Sequence, residues 1–257
     1  MQQLNGKRLQ IAGLVSVLSG FWAGMAMADT SADLVQAAML HGDRPLADVA
    51  DDARRMPLEV LAFTGLEEGM AILELEAGGG YYTEIMSRAV GPSGSVIMQN
   101  PESFDSFLGD QPQVRTADNR LPNVRISRTN FDELDAADNS IDLVTWILGP
   151  HELWFEPADN VTLGDPEASF AEIARVLKPG GLFLAVDHIA AQDSGPEVGG
   201  TWHRIREDII TGLADNAGLE VLRMSNLHKN DADPLNNNVF DPSIQGNTSK
   251  FVVLYRK

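Results

Sequence analysis

The chain has 257 residues, 44% of them hydrophobic, and carries 19 basic against 37 acidic side chains, for a formal net charge of −18. This length and apolar content suffice for one core, whereas so negative a surface repels a phosphate backbone, so nucleic acid is not an expected partner. The chain has no cysteine, which excludes a disulfide framework and a lipid-modified cysteine.

The first 28 residues have the pattern of a signal peptide. Lys7 and Arg8 supply positive charge, an apolar run extends from Leu9 to Trp22, and residues 26–28 (AMA) form a small-x-small cleavage pattern. The apolar run is short for a membrane span, although an uncleaved anchor is the alternative. We therefore expect export, cleavage before Asp29 and no stable membrane span after processing.

Helical segments open the mature chain and form an expected N-terminal cap over residues 29–68. Residues 33–40 form a short helix, Pro45 begins a second, and Pro57 kinks or restarts it. In the second segment apolar residues recur at helical spacing, namely Leu46, Val49, Ala50, Ala53 and Met56. The charges between them form either a solvated face or a surface over a ligand site, namely Asp51, Asp52, Arg54 and Arg55.

The stretch from Met70 to Asn100 is the most informative part of the sequence. A short apolar run leads into three glycines at 78–80, and an amphipathic segment then ends at Gly91. This order predicts a strand, a tight turn, a helix and a second strand. Glycines there would bring backbone amides and the positive end of the helix to a ligand, with a purely structural turn as the alternative.

Two other ligand types require residues that the glycine turn lacks. A dinucleotide fingerprint starting at Gly78 needs glycine where Thr83 stands, and a phosphate-binding loop needs Gly-Lys followed by Ser or Thr. The turn therefore predicts neither a dinucleotide site nor a phosphate loop.

Strand-like and helix-like segments alternate after the glycine turn. Strands are predicted at 124–128, 141–148 and 182–186, and a helix at 167–177. This alternation is typical of parallel strands with crossover helices, that is, an α/β doubly wound sheet. Polar residues that follow strand ends should line one rim of it, namely Asn100, Asn130, His151 and His188.

The last third of the chain predicts one helix and two further strands. The helix spans Thr201–Asn216, with an apolar side formed by Trp202, Ile205, Ile209 and Leu213. Strands follow at 219–227 and 250–255, separated by a polar loop at 228–249. Because Val239 and Phe240 in this loop are residues that favour burial, we expect the loop to pack near the rim.

Four segments carry a resemblance to a known family: ILELEAGGGYYTEI, GSVIMQN, NSIDLVTWIL and IARVLKPGGLFLAV. In this order they resemble the class I S-adenosylmethionine-dependent methyltransferases, over nearly all of Leu58–Lys257. The resemblance implies a mostly parallel seven-stranded Rossmann-like sheet, S-adenosylmethionine as cofactor and methyl transfer to a small molecule. More narrowly, GGGYYTE, VIMQNP, VDH and NVFDP resemble exported predicted methyltransferases of Gram-negative bacteria, which implies a periplasmic location.

The resemblance also implies which residues meet the cofactor near the glycine turn. Glu74 lies at the acidic position that opens the glycine motif, and Gly78 and Gly80 match its later glycines. Glu76 replaces the first glycine and puts a carboxylate near the expected place of the cofactor's own carboxylate. Tyr82, at the start of the helix, joins this set, with packing at the helix start as the alternative.

Two asparagines take the positions that usually contact the rest of the cofactor. Asn100 stands where an acidic residue normally binds the ribose, and Asn130 stands where the third strand usually contacts adenine. An amide can bond both ribose hydroxyls, but more weakly than a carboxylate.

Three histidines are the expected catalytic residues. His151 and His188 should flank the transferred methyl group and suit general-base work, with His203 and Asp187 as further members and a structural role for each histidine as the alternative. Such a set could also hold a metal, but no close spacing such as His-x-x-x-His occurs, so no metal is predicted. A binding protein without catalysis and a lyase or isomerase remain alternative functions of the same fold.

Overall fold

The computed structural model describes residues 30–257, which form a seven-stranded sheet with helices on both faces. The strands are β1 (Ala71–Leu75), β2 (Ser95–Gln99), β3 (Val124–Ser127), β4 (Ile141–Ile147), β5 (Leu177–His188), β6 (Glu220–Ser225) and β7 (Lys250–Arg256). The helices are α1 (Ser31–Met39), α2 (Leu46–Arg55), α3 (Pro57–Ala62), α4 (Tyr81–Val90), α5 (Asp105–Leu108), α6 (Gln111–Thr116), α7 (Pro166–Val176), α8 (Val198–Trp202) and α9 (Glu207–Asn216). The expected signal peptide, residues 1–28, lies outside the described residues. Between residues 30 and 257, no helix combines the length and hydropathy that a membrane span needs.

The strand order is β3-β2-β1-β4-β5-β7-β6. Strands β1 to β5 pair in parallel, and β7 pairs antiparallel with both β5 and β6. The predicted doubly wound, mostly parallel sheet with N-terminal helices is therefore confirmed. The order reverses between β1 and β4, so the loops that follow these two strands flank the crevice where such sheets bind ligands.

Alternate residues of the central strands point to two separate apolar layers. On one face Ile72 and Leu143 pack with residues of α1, α3 and α4, and on the other Leu73 and Val144 pack with residues of α7 and α9. Because both faces are covered, the central strands are nearly continuous apolar runs, as parallel strands buried on both sides require.

Helix α2 is oriented differently from the apolar stripe in its sequence. Leu46 and Val49 are 86% and 46% exposed, whereas the charged side of the helix faces the protein. Asp52 accepts two hydrogen bonds from the buried Arg44, at 2.7 and 2.8 Å, and one from the Tyr81 hydroxyl at 2.6 Å. These charge-assisted bonds, rather than apolar burial, fix the side that α2 presents inward.

The single helix predicted over Thr201–Asn216 is wrong, because the chain breaks it between α8 and α9. His203 has a left-handed backbone with φ 54°, and Ile205 pairs with Ile189 next to the end of β5. Arg204 is fully buried and donates two 2.9 Å hydrogen bonds to Asp233 in the long loop. Pairing to β5 and this ion pair override the helical periodicity.

The long loop at 228–249 lies at the rim, as expected, but not with both apolar residues buried. Val239 is 5% exposed and donates its N–H to the Trp202 carbonyl at 3.1 Å, whereas Phe240 is 59% exposed. Strand β5 is also longer than predicted, because it begins at Leu177 and includes the LKPGG run.

Glu84 on α4 is the centre of a buried charge network. Its carboxylate accepts hydrogen bonds from Arg88, Arg115 and Arg120 at 2.7–2.8 Å, and its side chain is fully buried. Burial alone would raise the pKa of Glu84, but the hydrogen bonds from Arg120, Arg88 and Arg115 outweigh it and lower the pKa from 4.5 to about 2. The ionised form therefore stabilises the folded state.

We expect Glu84→Gln to lower the free energy of unfolding at pH 7 by about 3 kcal/mol, since each pKa unit corresponds to about 1.4 kcal/mol. A lowered pKa gives stability that is present above pH 4.5 and is lost as the pH falls towards about 2. Urea unfolding should therefore show a gap between wild type and variant that closes over this range. The matched control Asp135→Asn, in an exposed pair with Arg125, should change stability by less than about 1 kcal/mol; an equal effect of the two variants would contradict this account.

Candidate active site at the carboxyl edge of the sheet

The turn between β1 and α4 depends on left-handed backbone conformations. Gly78 and Gly80 have φ of 57° and 82°, and Glu76 has φ 51° although it carries a side chain. A non-glycine residue in this region costs on the order of 1–2 kcal/mol. The turn thus keeps the shape of a glycine motif with glutamate in the place of its first glycine.

The Glu76 side chain points back towards β4. Its backbone N–H donates to Gln99 Oε1 at 3.0 Å, and its Oε2 accepts from Trp146 Nε1 at 3.2 Å. Burial, followed by the negative charge of Glu152, raises the pKa of Glu76 well above its usual value. Burial therefore favours the uncharged form of the Glu76 carboxylic acid.

Glu74, at the end of β1, is also a buried acid. It is 3% exposed and accepts a hydrogen bond from the Thr83 hydroxyl of α4. Burial raises the pKa of Glu74 to about 8. The hydrogen bond between Glu74 and Thr83 links β1 to α4 beneath the turn.

The two asparagines predicted to contact the cofactor differ in their placement. Asn100 is buried, its Oδ1 accepts from the Gly78 N–H at 2.8 Å, and its Nδ2 donates to the Gly78 carbonyl at 3.2 Å. Asn130 is partly exposed, beyond the end of β3, and its backbone carbonyl accepts from Glu133 at 3.3 Å. Asn100 therefore holds the glycine turn in place with both atoms of its amide.

A cavity lies directly over the glycine turn. Four of the predicted cofactor-binding residues line it, namely Glu74, Glu76, Gly78 and Tyr82, whereas Gly80, Asn100 and Asn130 do not. Helix α2 and the neighbouring α6 add charged groups of both signs, namely Asp48, Asp51, Arg55 and Arg115. We call this space the turn cavity; it presents carboxylates and guanidinium groups together, as a zwitterionic ligand requires.

A second cavity, here called the rim cavity, lies beside His188. Cationic and apolar residues line it, including Arg54, Lys250, Val239 and Phe240. Within residues 30–257 its lining includes no carboxylate, in a chain of net charge −18. Burial, followed by repulsion from Arg54, lowers the pKa of Lys250 to about 8.

The turn cavity and the rim cavity share one wall. Both are lined by Arg55, Tyr82, Ile147 and Leu148. Leu148, the residue after β4, has φ 66°, which is rare for a branched apolar residue, and it is held by a 2.7 Å hydrogen bond from its N–H to the Val186 carbonyl. Strained backbone of this kind concentrates at functional sites.

The predicted catalytic histidines gather around Asp187, the fully buried penultimate residue of β5. One Asp187 oxygen accepts the His151 backbone N–H, and the other accepts that of His188, each at 2.7 Å. His151 Nδ1 lies 2.8 and 3.0 Å from the same two oxygens. The carboxylate thus fixes both the backbone and the ring of His151.

His151 and His203 form a tight cluster with Glu152. His151 Nε2, His203 Nδ1 and Glu152 Oε1 are separated by 3.1, 3.1 and 3.3 Å. Burial favours the neutral ring of His151, but Asp187 and Glu152 outweigh it and raise its pKa to about 10. Burial of Glu152 is likewise outweighed by His151 and His203, which lower the pKa of its carboxyl.

His188 stands apart from this cluster. Its ring centroid lies 6.2 Å from that of His151, and its Nδ1 lies 2.7 Å from the Thr248 hydroxyl. Burial, followed by the positive charge of His151, lowers the pKa of His188 well below its usual value. Of the three predicted histidines, His188 is the one that lines the rim cavity, and its lowered pKa favours the neutral ring.

Several residues of this region have no recognisable signal in the sequence. In the sequence, Glu152 is distinguished only by being next to His151. Thr248 and Arg204 do not follow a strand end, which is the feature that identified the other candidates. These residues join the site only through tertiary contacts. The helix break at His203, for example, brings the His203 ring to the carboxyl end of β4. The same break explains why sequence spacing gave no indication of the cluster.

Parts of this chain are similar in sequence to known proteins. The family described as "Methyltransferase domain" matches residues 73–185. The ubiquinone/menaquinone biosynthesis C-methyltransferase UbiE of Psychromonas ingrahamii is 32% identical over 165 residues, which are 62% of this chain and 61% of that protein. The match therefore spans less than two thirds of the relative's length.

Solved structures extend the similarity to nearly the whole fold. A SAM-dependent methyltransferase from Aquifex aeolicus aligns with a TM-score of 0.59 and 21% identity, over 82% of this chain and 95% of that one. The [4+2]-cyclase SpnF aligns with a TM-score of 0.55 and 16% identity, over 90% and 97%. At these identities the alignments show the fold alone. The domain match and the sheet order agree with this fold, which is that of the class I S-adenosylmethionine-dependent methyltransferases, and the chain is similar in sequence to members of that superfamily.

Proposed function

We propose that this protein transfers a methyl group from S-adenosylmethionine to a small, anionic acceptor. The observation that carries this proposal is the wall that the turn cavity and the rim cavity share at Tyr82, Ile147 and Leu148. Methyl transfer is an in-line displacement, so a donor in one cavity and an acceptor in the other must meet at a common boundary.

The turn cavity fits the amino-acid part of the cofactor of this superfamily. Gly78 and Gly79 present backbone without side chains, Arg55 offers a guanidinium for a carboxylate, and Asp51 offers a carboxylate for an ammonium group. When bound there, the cofactor supplies an electrophilic methyl group on a sulfonium. The raised pKa of Glu76 favours its uncharged form, which repels the ligand's carboxylate less than an ionised side chain would.

The rim cavity supports an anionic acceptor. Arg54, Arg55 and Lys250 give it positive charge within a strongly acidic protein, and low-dielectric walls focus that field on an entering anion. The apolar residues Ile147 and Val186 suit the rest of a small organic acid, phenol or enol. The C-methyltransferase relative extends the candidate acceptors to carbon nucleophiles.

Among the histidines, His188 is proposed as the general base. It lines the rim cavity, and the contact between its Nδ1 and the Thr248 hydroxyl fixes its ring, so Nε2 remains for a proton from the acceptor. His151 and His203 point at each other and at Glu152, so their part in the reaction is indirect, through the position of the rim.

A binding protein without catalysis is the second candidate, and one observation favours it. Both polar atoms of the Asn100 amide are used by Gly78, whereas the superfamily position it occupies usually serves the ribose. The [4+2]-cyclase with the same fold also means that the scaffold alone does not fix the reaction.

Cofactor binding tests the first part of the proposal. Titration calorimetry of the chain from Asp29 should show binding of S-adenosylmethionine and S-adenosylhomocysteine at submillimolar concentrations. Arg55→Gln should weaken it at least tenfold, because a charge-assisted hydrogen bond contributes about 1.5–3 kcal/mol. The control Arg125→Gln, on the outside of β3, should leave it unchanged, and no heat at millimolar cofactor would exclude the methyltransferase proposal.

Replacement of His188 tests its role as the general base. A methyl acceptor is first identified by screening small organic acids, phenols and enols for methylation. We expect His188→Gln to lower kcat by about 10²–10⁴-fold while cofactor affinity stays within about twofold of wild type. The exposed His41→Asn is the control for a histidine outside the rim. An unchanged kcat, or a loss of thermal stability that accounts for the whole effect, would assign His188 a structural role.

Export is the proposal for residues 1–28, and it rests on the charged start, the apolar run and the AMA pattern. Expression in a Gram-negative host should yield a periplasmic protein whose N-terminus is Asp29, read by intact-mass spectrometry. Ala28→Pro should block cleavage, since it changes the small residue at the scissile bond. The control Ala32→Pro lies beyond that bond and should not prevent processing. Intact Met1 in the periplasmic fraction would contradict cleavage.

A further inference from the structure

We propose that His151, Glu152 and His203 form a binding site for a divalent transition-metal cation of the Zn²⁺ type. The site is independent of methyl transfer, since it needs neither the turn cavity nor a bound cofactor. Two observations point to it: the spacing of the three ligand atoms and a buried carboxylate oxygen without a partner among the described residues.

The spacing of the three atoms matches one face of a metal coordination shell. His151 Nε2, His203 Nδ1 and Glu152 Oε1 lie within 3.3 Å of one another. The point in their plane that is equidistant from all three lies about 1.8 Å from each, and Zn²⁺ bonds to histidine nitrogen and carboxylate oxygen are about 2.0–2.2 Å long. A cation just outside this plane would therefore reach all three atoms without moving any side chain.

The other oxygen of Glu152 gives independent support. Glu152 is only 7% exposed, yet its Oε2 has no hydrogen-bond partner within the described part of the chain. A buried carboxylate oxygen normally has a partner, since an unmade bond costs about 1–3 kcal/mol or more for a charged group. A cation that the carboxylate binds through both of its oxygens would give Oε2 a partner.

The surroundings hold the ligands as metal sites commonly do. His151 Nδ1 lies against the Asp187 carboxylate, the arrangement that fixes the tautomer of a ligating histidine and aims the opposite nitrogen at the metal. His203 occupies the left-handed break after α8, which the adjacent Arg204–Asp233 ion pair stabilises. Both histidine ligands are therefore fixed by partners outside the triangle.

The donor set selects the kind of cation. Two imidazole nitrogens and one carboxylate favour Zn²⁺ and its first-row neighbours, whereas Mg²⁺ and Ca²⁺ prefer oxygen ligands throughout. Three protein ligands leave at least one position open for water or an anionic oxygen. Phe240, whose ring contacts His203 with centroids 5.1 Å apart, also lines the rim cavity, so this position lies close to the proposed acceptor space.

Metal titration of the untagged mature chain tests the site. After removal of metals with a chelator, calorimetry with Zn²⁺ should show one tight site per chain, and Co²⁺ should give the visible ligand-field bands of a four- or five-coordinate ion. Glu152→Gln and His203→Asn should each weaken Zn²⁺ binding at least tenfold and abolish the Co²⁺ bands. Asn suits the left-handed backbone at 203, and Gln keeps the volume at 152. Asp187→Asn should weaken binding about 10–100-fold, as loss of a ligand's orienting partner does.

His41→Asn is the matched control, because it removes an exposed histidine outside the cluster and should leave the affinity unchanged. Unfolding curves in metal-free buffer show whether each variant is folded. If a variant does not fold, the wild-type Co²⁺ spectrum decides, since a spectrum like that of the hydrated ion contradicts the site. No stoichiometric binding by the wild type, or full affinity in folded Glu152→Gln and His203→Asn, would overturn the proposal.

Discussion

The buried carboxylate of Asp187 is the interaction on which the rim depends. It accepts the backbone N–H groups of His151 and His188 and contacts the His151 ring, so one side chain joins the ends of β4 and β5. A fully buried carboxylate is tolerated only when several donors surround it, and here backbone and ring supply them. The positions of His188 in the rim cavity and of the cluster with Glu152 and His203 both follow from this one group.

The two cavities differ in the charges of the residues that line them. The turn cavity contains carboxylates and guanidinium groups in one space, held by Arg115, which donates to Asp48, Glu84 and the Gly79 carbonyl. The rim cavity has Arg54 and Lys250. Because the shared wall includes the apolar Ile147 and Leu148, a zwitterion on one side and an anion on the other would meet at a boundary of low polarity, where electrostatic interactions are stronger than in bulk water.

Local signals in the sequence predict the sheet and the glycine turn well. Apolar runs, Gly78–Gly80 and the LKPGG run indicate strand ends and turns, and these depend on neighbours a few residues away. Long-range interactions explain the errors. The orientation of α2 depends on Asp52 meeting Arg44 and Tyr81, and the helix break at His203 depends on Ile205 pairing with Ile189. The spacing of residues within one segment holds no information about contacts with a distant segment. The cluster of His151, Glu152 and His203 was therefore not predictable from spacing.

Glu76 shows how a departure from a glycine motif can be compatible with its use. A side chain at Gly149 would collide with Glu76 Oε2, so the glutamate fits because its neighbour on the β4 side has no side chain. The Trp146 indole N–H fixes the carboxyl group, and burial raises its pKa well above the usual value. The raised pKa favours the uncharged acid, which does not repel an anionic group in the turn. The left-handed backbone of Glu76 preserves the approach that glycine would have given. The strain at Glu76 thus retains the shape of the turn, and the raised pKa disfavours the charge that would oppose a ligand.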